Sequence, residues 1–532
     1  NQQDGTFVDE AASWGLANVH AGVGAAAADY DNDGDIDIFV TSHSPNGSNT
    51  ITIGQHRLYQ NKGDGSFEDV AVVAGVSTTS LADADGWSPS WGDYDSDGDL
   101  DLAIAGWKDL DGSNKLFRND GDGTFTDVTD SVMPAALRSC RGFTPRFCDM
   151  DLDGHVDLLW VSDFRTSKYF VNNGDGTFSQ GVMTGTGLDV NGMGTCIGDF
   201  NDDGLPDWYV TSILYPSNPP QPPFVNGNVM YMNNGGHSYS EVASVVGTQD
   251  GAWGWGSDAI DFNHDTLLDD VVATNGWHYT PYAGTHTRLF VCKVGGLFVE
   301  ESALCNLNNT HDTRGLATFD YDNDGDRDIV IFGKSDPLTM YRNDLSGTDI
   351  GWLRVELDTS CDDGLAPHGI GARLAASING KTIYRWMHGG SNFLAMSELS
   401  VHFGLGAAKS IDELRVEWQD GTTTVLLDVS GDRTIVISAC DPRCPGDLTT
   451  TGAAGGSPEF GTPDGTTDLS DLLYFVNVWS TDIGANPGSQ ADLTTTGSSV
   501  GGAAYGQPDG TVDLSDLLYY VNQWNGGLTA CE

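Results

Sequence analysis

Six short segments of this 532-residue chain carry side-chain oxygens at a spacing suited to a metal ion. Each follows the pattern D-x-D/N-x-D-G-x-x-D, in which a glycine at position 6 permits a sharp turn. Oxygens at positions 1, 3, 5 and 9, with the backbone carbonyl of position 7, suit a hard cation such as Ca²⁺. The predicted ligands are Asp29, Asp31, Asp33, Asp35 and Asp37; Asp93, Asp95, Asp97, Asp99 and Asp101; Asp149, Asp151, Asp153, His155 and Asp157; Asp199, Asn201, Asp203, Leu205 and Asp207; Asp261, Asn263, Asp265 and Asp269; and Asp320, Asp322, Asp324, Asp326 and Asp328.

The repetition favours six calcium sites over the alternatives. Solvated acidic turns without an ion would not need six copies at ligand spacing, and Mg²⁺ keeps more water and needs stricter geometry. We expect the ions to brace the structure rather than to catalyse, because the loop carboxylates are engaged by the metal. The fifth copy has Thr266 where glycine is expected, so this site is predicted to be distorted, weak or empty.

A tandem duplication near the C-terminus, with an offset of 45 residues, predicts two further calcium sites. Each copy has Asp and Thr oxygens at the spacing of an EF-type loop, interrupted by a Gly-rich insertion, and is followed by a short amphipathic helix. The predicted ligands are Asp447, Thr449, Asp464, Thr466, Asp468 and Asp471, and Asp492, Thr494, Asp509, Thr511, Asp513 and Asp516.

Strand-forming segments surround each of the six loops and must position it. A short β-type run lies on either side of the loop, and a hairpin pattern with an Asn/Asp-Gly turn follows, as in 58–70 and 116–128. Four strands repeated every 50 to 64 residues are typical of β-propeller blades. The sequence therefore predicts a mainly β protein with six blades, in which residues 6–8 complete the sixth; the β-rich segment that follows could add another.

Composition excludes several classes of protein. The chain has 24 Lys and Arg against 76 Asp and Glu, a net charge of −52, which argues against electrostatic binding to nucleic acid or anionic lipid. No apolar run approaches the roughly 18 residues that span a bilayer. With 39% hydrophobic residues and 14 Trp, the chain is not a disordered acidic tail.

Nine cysteines permit a few disulfides and leave at least one thiol unpaired. Cys292 and Cys305 could staple a hairpin. A clasp joining the two ends of the duplicated tail would pair Cys531 with Cys440 or its neighbour Cys444.

The loops and hairpins over about residues 4–343 resemble the FG-GAP/VCBS repeats of integrin-like propellers. Residues 347–439, with Gly369-Ile-Gly-Ala-Arg373 and Leu414-Arg-Val-Glu-Trp418, look like the ASPIC/UnbV domain of cartilage-acidic-protein-like secreted proteins. The duplicated tail resembles a dockerin module, which in its family plugs a protein into a cohesin. These resemblances imply a propeller over 1–346, an antiparallel β domain over 347–439, an EF-hand-like calcium module over 440–532, and a bacterial source.

No H-E-x-x-H, G-x-S-x-G, P-loop or dinucleotide-binding motif occurs, so no catalytic residue is assigned and an enzyme is not expected. The long connections opposite the metal loops are rich in aromatics, which could stack on sugar rings or anchor a protein. The candidates are Trp87, Trp107, Tyr215, Trp277, Tyr279 and Tyr282.

We therefore predict a secreted, calcium-stabilised binding or adhesion protein, extracellular or at the cell surface, whose signal peptide has been removed. Its partners would be an extracellular protein or glycan for the propeller and a cohesin-like or cell-surface partner for the tail. A polysaccharide lyase on the same scaffold and a self-assembling matrix or filament subunit, a homo-oligomer, remain the alternatives.

Overall fold

The computed structural model describes residues 6–18, 21–43, 55–77, 85–107, 113–181, 185–274, 280–334, 336–390 and 392–439. The predicted dockerin-like module at 440–532, with its calcium loops and Cys440, Cys444 and Cys531, lies outside these residues, as do Trp277 and Tyr279. Nowhere in the described part does a helix have the length and apolar character needed to cross a membrane.

Six small antiparallel sheets follow one another along the first part of the chain, and within each sheet the strands pair in chain order. Sheets 1 to 5 have four strands and sheet 6 has three. They consist of β1 (Gly22–Ala28), β2 (Asp37–Ser42), β3 (Arg57–Asn61) and β4 (Phe67–Asp69); β5 (Pro89–Gly92), β6 (Asp101–Ile104), β7 (Lys115–Asn119) and β8 (Phe125–Asp127); β9 (Arg141–Cys148), β10 (Asp157–Asp163), β11 (Lys168–Asn172) and β12 (Phe178–Gln180); β13 (Thr195–Gly198), β14 (Asp207–Val210), β15 (Val229–Asn233) and β16 (Tyr239–Glu241); β17 (Gly254–Ile260), β18 (Asp269–Thr274), β19 (Arg288–Lys293) and β20 (Leu297–Glu300); and β21 (Thr313–Phe319), β22 (Asp328–Gly333) and β23 (Thr339–Tyr341).

Neighbouring sheets pack face to face and share apolar cores. The first strands of successive sheets contact each other, β1 with β5, β5 with β9, β13 with β17 and β17 with β21. Leu116, Leu158 and Phe178 form a core common to sheets 2 and 3, and Tyr209 and Phe290 join sheets 4 and 5. The mainly β prediction is confirmed, and the scaffold is propeller-like. Two short helices, α1 (Thr129–Val132) and α2 (Ala243–Val246), and a 3₁₀ turn at Ala135–Ser139 complete it.

The segment after sheet 6 folds into two further sheets on one core. Their strands are β24 (Gly351–Asp358), β25 (Arg373–Ile378), β26 (Lys381–Trp386), β27 (Val401–Gly406), β28 (Ser410–Glu417), β29 (Thr423–Ser430) and β30 (Arg433–Ser438). Alternate residues of β24 are buried, as its sequence pattern predicts. The sheets have the orders β27-β24-β30 and β26-β25-β28-β29, and β24 pairs with β30 in parallel, which the antiparallel prediction missed. We call residues 347–439 the β domain.

A segment of the β domain runs along the first strands of all six sheets. We call it the axial segment, comprising residues 388–390 and 392–398. It supplies hydrogen-bond partners to inner-strand groups of every sheet in turn, so it fills the place where the six sheets converge. In sheet order the pairs are Ala25 N to Leu394 O (3.2 Å), Trp91 N to Gly389 O (2.9 Å), Arg146 Nη1 to Gly390 O (2.9 Å), Thr195 N to Asn392 O (3.3 Å), Ser397 Oγ to Asp258 Oδ2 (2.6 Å) and Thr318 N to Ser397 Oγ (3.0 Å).

The predicted completion of sheet 6 by residues 6–8 does not form, because these residues have no regular structure. Phe7 instead lies 6.3 Å from the ring of Tyr321 in the sixth loop. In sheets 1 and 2 the equivalent contact joins a loop to the last strand of the following sheet, as between Tyr30 and Phe125. By that pattern Phe7 occupies a position after sheet 6 and before sheet 1.

The predicted Cys292–Cys305 disulfide is wrong. Both thiols are free; Cys292 points into the core of sheets 4 and 5, whereas Cys305 is exposed in a turn. Cys361, which the sequence analysis did not single out, is disulfide-bonded.

Replacing Phe393, which is fully buried in the axial segment, should destabilise the whole unit. We expect Phe393→Ala to lower the free energy of unfolding by about 3–5 kcal/mol, since a large buried side chain is lost. Phe164, which is 57% exposed, offers a matched control, and Phe164→Ala should change stability by less than about 1 kcal/mol. Urea denaturation followed by fluorescence would measure both; equal effects would contradict the role given to the axial segment.

Candidate metal centres

Each metal loop is closed by the carboxylate at position 1. It accepts the backbone N–H groups of positions 5 and 6, at 3.1 and 2.9 Å for Asp29 in the first loop. The fifth loop keeps both bonds, at 3.0 and 2.8 Å for Asp261, although Thr266 takes the place of glycine with φ of +79°. The predicted distortion is therefore absent from the turn itself, and a β-branched residue bears the unfavourable backbone conformation.

The carboxylate at position 9 ties the loop to its sheet. Asp157 accepts the N–H of Met150 within the loop at 3.3 Å and the N–H of Asn172 at the end of β11 at 2.9 Å. The corresponding pair of bonds recurs in all six loops and ties each loop to the third strand of its sheet.

Four loops bring three carboxylates within 4.8 Å of one another, and the residues present fit a hard cation. One oxygen of Asp31 and one of Asp95 are buried without a hydrogen-bond partner, as expected for oxygens directed at an ion. In the fourth and fifth loops Asn201 and Asn263 offer an amide oxygen at position 3 instead. The clustered sets are Asp29, Asp31 and Asp33; Asp93, Asp95 and Asp101; Asp149, Asp151 and Asp153; and Asp320, Asp322 and Asp328.

The carboxyl groups of these loops have raised pKa values, which a bound cation would lower. Burial is the main cause that raises the pKa of Asp37 to about 7 and those of Asp157, Asp207 and Asp269 to about 8. Neighbouring carboxylates raise these values further. Without a cation such carboxyls hold protons near neutral pH, whereas a bound divalent ion would keep them ionised.

An asparagine at the end of the third strand joins four of the loops to the next sheet. The side chain of Asn172 in sheet 3 donates to the carbonyl of Tyr94 in the second loop at 2.7 Å and to Val156 O at 3.0 Å. Asn119, Asn233 and Asn343 do the same for the first, third and fifth loops. Sequence analysis missed these residues, although an asparagine recurs at the end of the third strand in every sheet except sheet 5, which has Cys292 there.

Removing one of these links should loosen two sheets at once. Asn172→Ala leaves two buried carbonyls without their donor, so we expect the free energy of unfolding to fall by about 3 kcal/mol. Asn173→Ala is the control, because Asn173 is exposed and bonds only to Thr177 in its own turn. Chemical denaturation at saturating Ca²⁺ would compare them, and similar losses for both variants would contradict the proposed link.

The β domain docks on the metal loops. Its side chains and backbone bond to loop carbonyl and amide groups, and Lys381 pairs with Asp202 at 3.0 Å. Trp352 packs so closely on Gly325 that a Cβ there would lie 1.9 Å from its ring. The loop conformation therefore determines the docking surface. The direct bonds include Gln419 Nε2 to Asp93 O (2.7 Å), Arg373 Nη2 to Gly204 O (2.8 Å), Gly406 N to His264 O (2.7 Å) and Lys381 Nζ to Thr266 Oγ1 (3.1 Å).

Four of the predicted ligand-binding aromatics gather in one cluster at the opposite end of the sheets. Trp87 and Trp253 precede first strands, and Trp107, Tyr215 and Tyr282 follow second strands, so all lie away from the metal loops. All five are half-buried, and together with buried Phe143 and Trp255 they surround the axial residue Phe393. We call these eight aromatic residues the aromatic platform.

Ring contacts and polar anchors hold the aromatic platform rigid. Trp255 and Phe143 lie 5.2 and 5.7 Å from Phe393, and the rings of Trp253 and Trp255 are stacked at 6.2 Å. The Trp107 indole donates to Asp163 at 3.0 Å. The sequence suggested separate aromatic loops, whereas the structure shows one packed surface. The sequence analysis missed the contributions of four residues, because only the three-dimensional fold brings them together: Phe143, Trp253, Trp255 and Phe393.

Family comparisons agree with the loop and β-domain assignments. Residues 48–104, 93–160 and 149–210 match the FG-GAP-like repeat, and residues 363–442 match ASPIC and UnbV. The chain thus carries FG-GAP-like repeats followed by an ASPIC/UnbV domain, as its motifs indicated.

About half of the chain is similar to curated proteins. The chain is 29% identical over 281 residues to cartilage acidic protein 1 of Xenopus tropicalis, covering 50% of this chain and 40% of that protein. Identity to the Homo sapiens protein is 26% over 305 residues, covering 54% and 42%. The chain therefore spans about two fifths of the length of these relatives.

Among solved structures, an Agrocybe aegerita lectin that recognises non-reducing terminal N-acetylglucosamine is 17% identical, covering 63% of this chain and 84% of its own, with a TM-score of 0.38. A Bacillus licheniformis rhamnogalacturonan lyase is 14% identical, covering 78% and 72%, with a TM-score of 0.33. Scores this low leave the function to be argued from the residues of the chain itself.

Proposed function

We propose that this chain is an extracellular, calcium-stabilised binding protein that presents the aromatic platform to a glycan or protein ligand. The observation that carries the proposal is the platform itself: five half-buried aromatic side chains converge at one end of the sheets on a fully buried phenylalanine. Rigid aromatic surface of this kind provides large contact area at low entropic cost.

Calcium would act at a distance from the ligand in this proposal. The ions fix the loops, and the loops hold the β domain in place. The axial segment of the β domain then places Phe393 beneath the other rings of the aromatic platform. The oxygen ligand sets and the orphaned carboxylate oxygens support calcium at about six propeller-like sites, and the sequence alone supports two in the tail. The tail would attach the protein to a cohesin-like or cell-surface partner.

A binding role is favoured over catalysis. The polar groups around the platform are engaged in structural bonds: Asp163 accepts from Trp107, Tyr215 donates to Asn191, and Tyr282 donates to Leu214 O. A lyase would need a basic residue and a charge-stabilising group free to reach a sugar ring. Release of product from a bound glycan would therefore replace this proposal with an enzymatic one.

Chelation should lower thermal stability sharply, and more at pH 8 than at pH 5. Each site at 100 times its Kd contributes about 2.7 kcal/mol, so emptying several should lower the Tm by more than about 10 °C. The loop carboxyls with raised pKa disfavour the metal-free fold increasingly as pH rises from their unfolded value of about 3.8 to their folded values. Melting curves in EDTA and in CaCl₂ at both pH values test this, with MgCl₂ as control; an unchanged Tm in EDTA would refute the calcium role.

The ligand face can be tested on a glycan array probed with the intact chain in millimolar CaCl₂. Trp107→Ala should weaken binding at least about 10-fold, because it removes exposed stacking area at the edge of the platform. Trp14→Ala is the matched control: Trp14 is 47% exposed, lies in the turn before sheet 1 and should leave binding unchanged.

Three results would overturn parts of the proposal. Product release from any bound glycan would identify a carbohydrate-active enzyme. Binding that survives Trp107→Ala would place the ligand site elsewhere. Silence across the array would favour a protein ligand or self-association, and size-exclusion chromatography with and without Ca²⁺ would distinguish these two.

A further inference from the structure

A large apolar cleft lies between sheet 6 and sheet 1, with a volume of about 1490 Å³. Strand alternation directs the side chains of sheet 6 into it. Ile329 and Ile331 of β22 pack against sheet 5, so the alternate residues Val330 and Phe332 face the other way and line the cleft. Leu338 and Met340, before and within β23, line it in the same way.

Large apolar side chains in this cleft are open to solvent. Phe332 and Leu338 are 38% and 57% exposed, and Val436 of β30 is 55% exposed on the side of the β domain. Soluble proteins seldom leave large apolar side chains uncovered side by side unless the surface binds another molecule. Small-molecule pockets have volumes of about 300–1,000 Å³, so the larger volume here favours a polypeptide.

The cleft also borders a strand edge that lacks its hydrogen-bond partner. In sheet 1 the carbonyl of Leu58, in the third strand, accepts the N–H of Val70 at the end of the fourth strand at 2.8 Å, and sheets 2 to 5 have the same bond. Sheet 6 has no fourth strand. Met340 O of β23 holds the position of Leu58 O, and no residue in the described ranges donates to it. An open edge of this kind can accept a strand from another chain.

The polar part of the lining is acidic, with six carboxylates and neither Lys nor Arg. Three of these carboxylates are already engaged, because Asp29 belongs to the first metal loop and Glu356 and Glu398 pair with arginines. The other three form no salt bridge with Lys or Arg within the described part of the chain, and they are Asp358, Asp362 and Asp363. Their charge favours a basic partner.

We propose that this cleft is the docking groove for an extended basic segment of a partner protein. The segment adds to β23 as the missing fourth strand, which gives Met340 O its donor. Its alternate apolar side chains cover Phe332 and Leu338, and its Lys or Arg side chains reach the free carboxylates of the lining. The groove shares no residue with the aromatic platform, so the inference goes beyond the proposed function and does not depend on it.

Fluorescence anisotropy of a labelled peptide of about six Lys-Val repeats, titrated with the full-length chain in millimolar CaCl₂ and physiological salt, tests the groove. We expect saturable binding that is at least about 10-fold weaker in Phe332→Asp and in Leu338→Asp. Val294→Asp is the matched control, because Val294 is 95% exposed in the hairpin of sheet 5, outside the cleft, and should leave the affinity unchanged. All three variants add the same negative charge, so a general attraction of the basic peptide would be weakened in none of them.

Two further measurements separate the backbone and charge contributions. Hydrogen exchange of the β23 amides should slow when the peptide binds, and a peptide with central prolines, which lack N–H donors, should bind at least about 10-fold more weakly. The double variant Asp362→Asn with Asp363→Asn should bind about 5-fold more weakly and with less dependence on salt.

Four results would overturn the proposal. Equal affinity for a Glu-Val peptide would exclude a basic partner, and unchanged binding in both cleft variants would place the peptide elsewhere. Unprotected β23 amides in the saturated complex would exclude strand addition. Self-association without peptide that both cleft variants abolish, measured by size-exclusion chromatography, would assign the cleft to a second copy of this chain.

Discussion

The burial of carboxylate groups in the six metal loops is the constraint on which the rest of this structure depends. In every loop one Asp closes the turn and another ties the turn to the third strand, so the same groups that would hold an ion also fix the strands. Because the second, fourth, fifth and sixth loops contact the docked β domain, an uncompensated charge in them acts on local folding, sheet packing and docking together. The asparagine links extend this dependence from four of the loops to the following sheet.

The two ends of the sheets perform different tasks and are joined by the axial segment. The loop end carries charge and supports the β domain, while the far end carries the aromatic platform. Phe393 connects them, since it belongs to the β domain and lies among the rings of the platform. Ligand binding at the aromatic platform can therefore depend on bound ions without any contact between the ligand and an ion.

Local spacing was enough to predict the loops, the hairpins and the mainly β fold, because turn chemistry and strand alternation act within a few residues. Contacts of long sequence separation could not be predicted. The passage of the axial segment along six sheets, the parallel pairing of β24 with β30 and the approach of His237 to the third loop depend on three-dimensional packing. The Cys292–Cys305 prediction failed for the same reason, since a hairpin spacing does not reveal which side of the strand the core occupies.

The axial segment also bears on how this chain could be divided or recombined. Sequence patterns place a boundary near residue 346, yet inner-strand groups in all six sheets find their partners beyond it. A piece ending at that boundary would leave those strand groups without these partners, and a β domain transplanted alone would expose Phe393, which is fully buried in the intact unit. The repeats and the domain that follows them therefore form one compact unit, although they match two different family models.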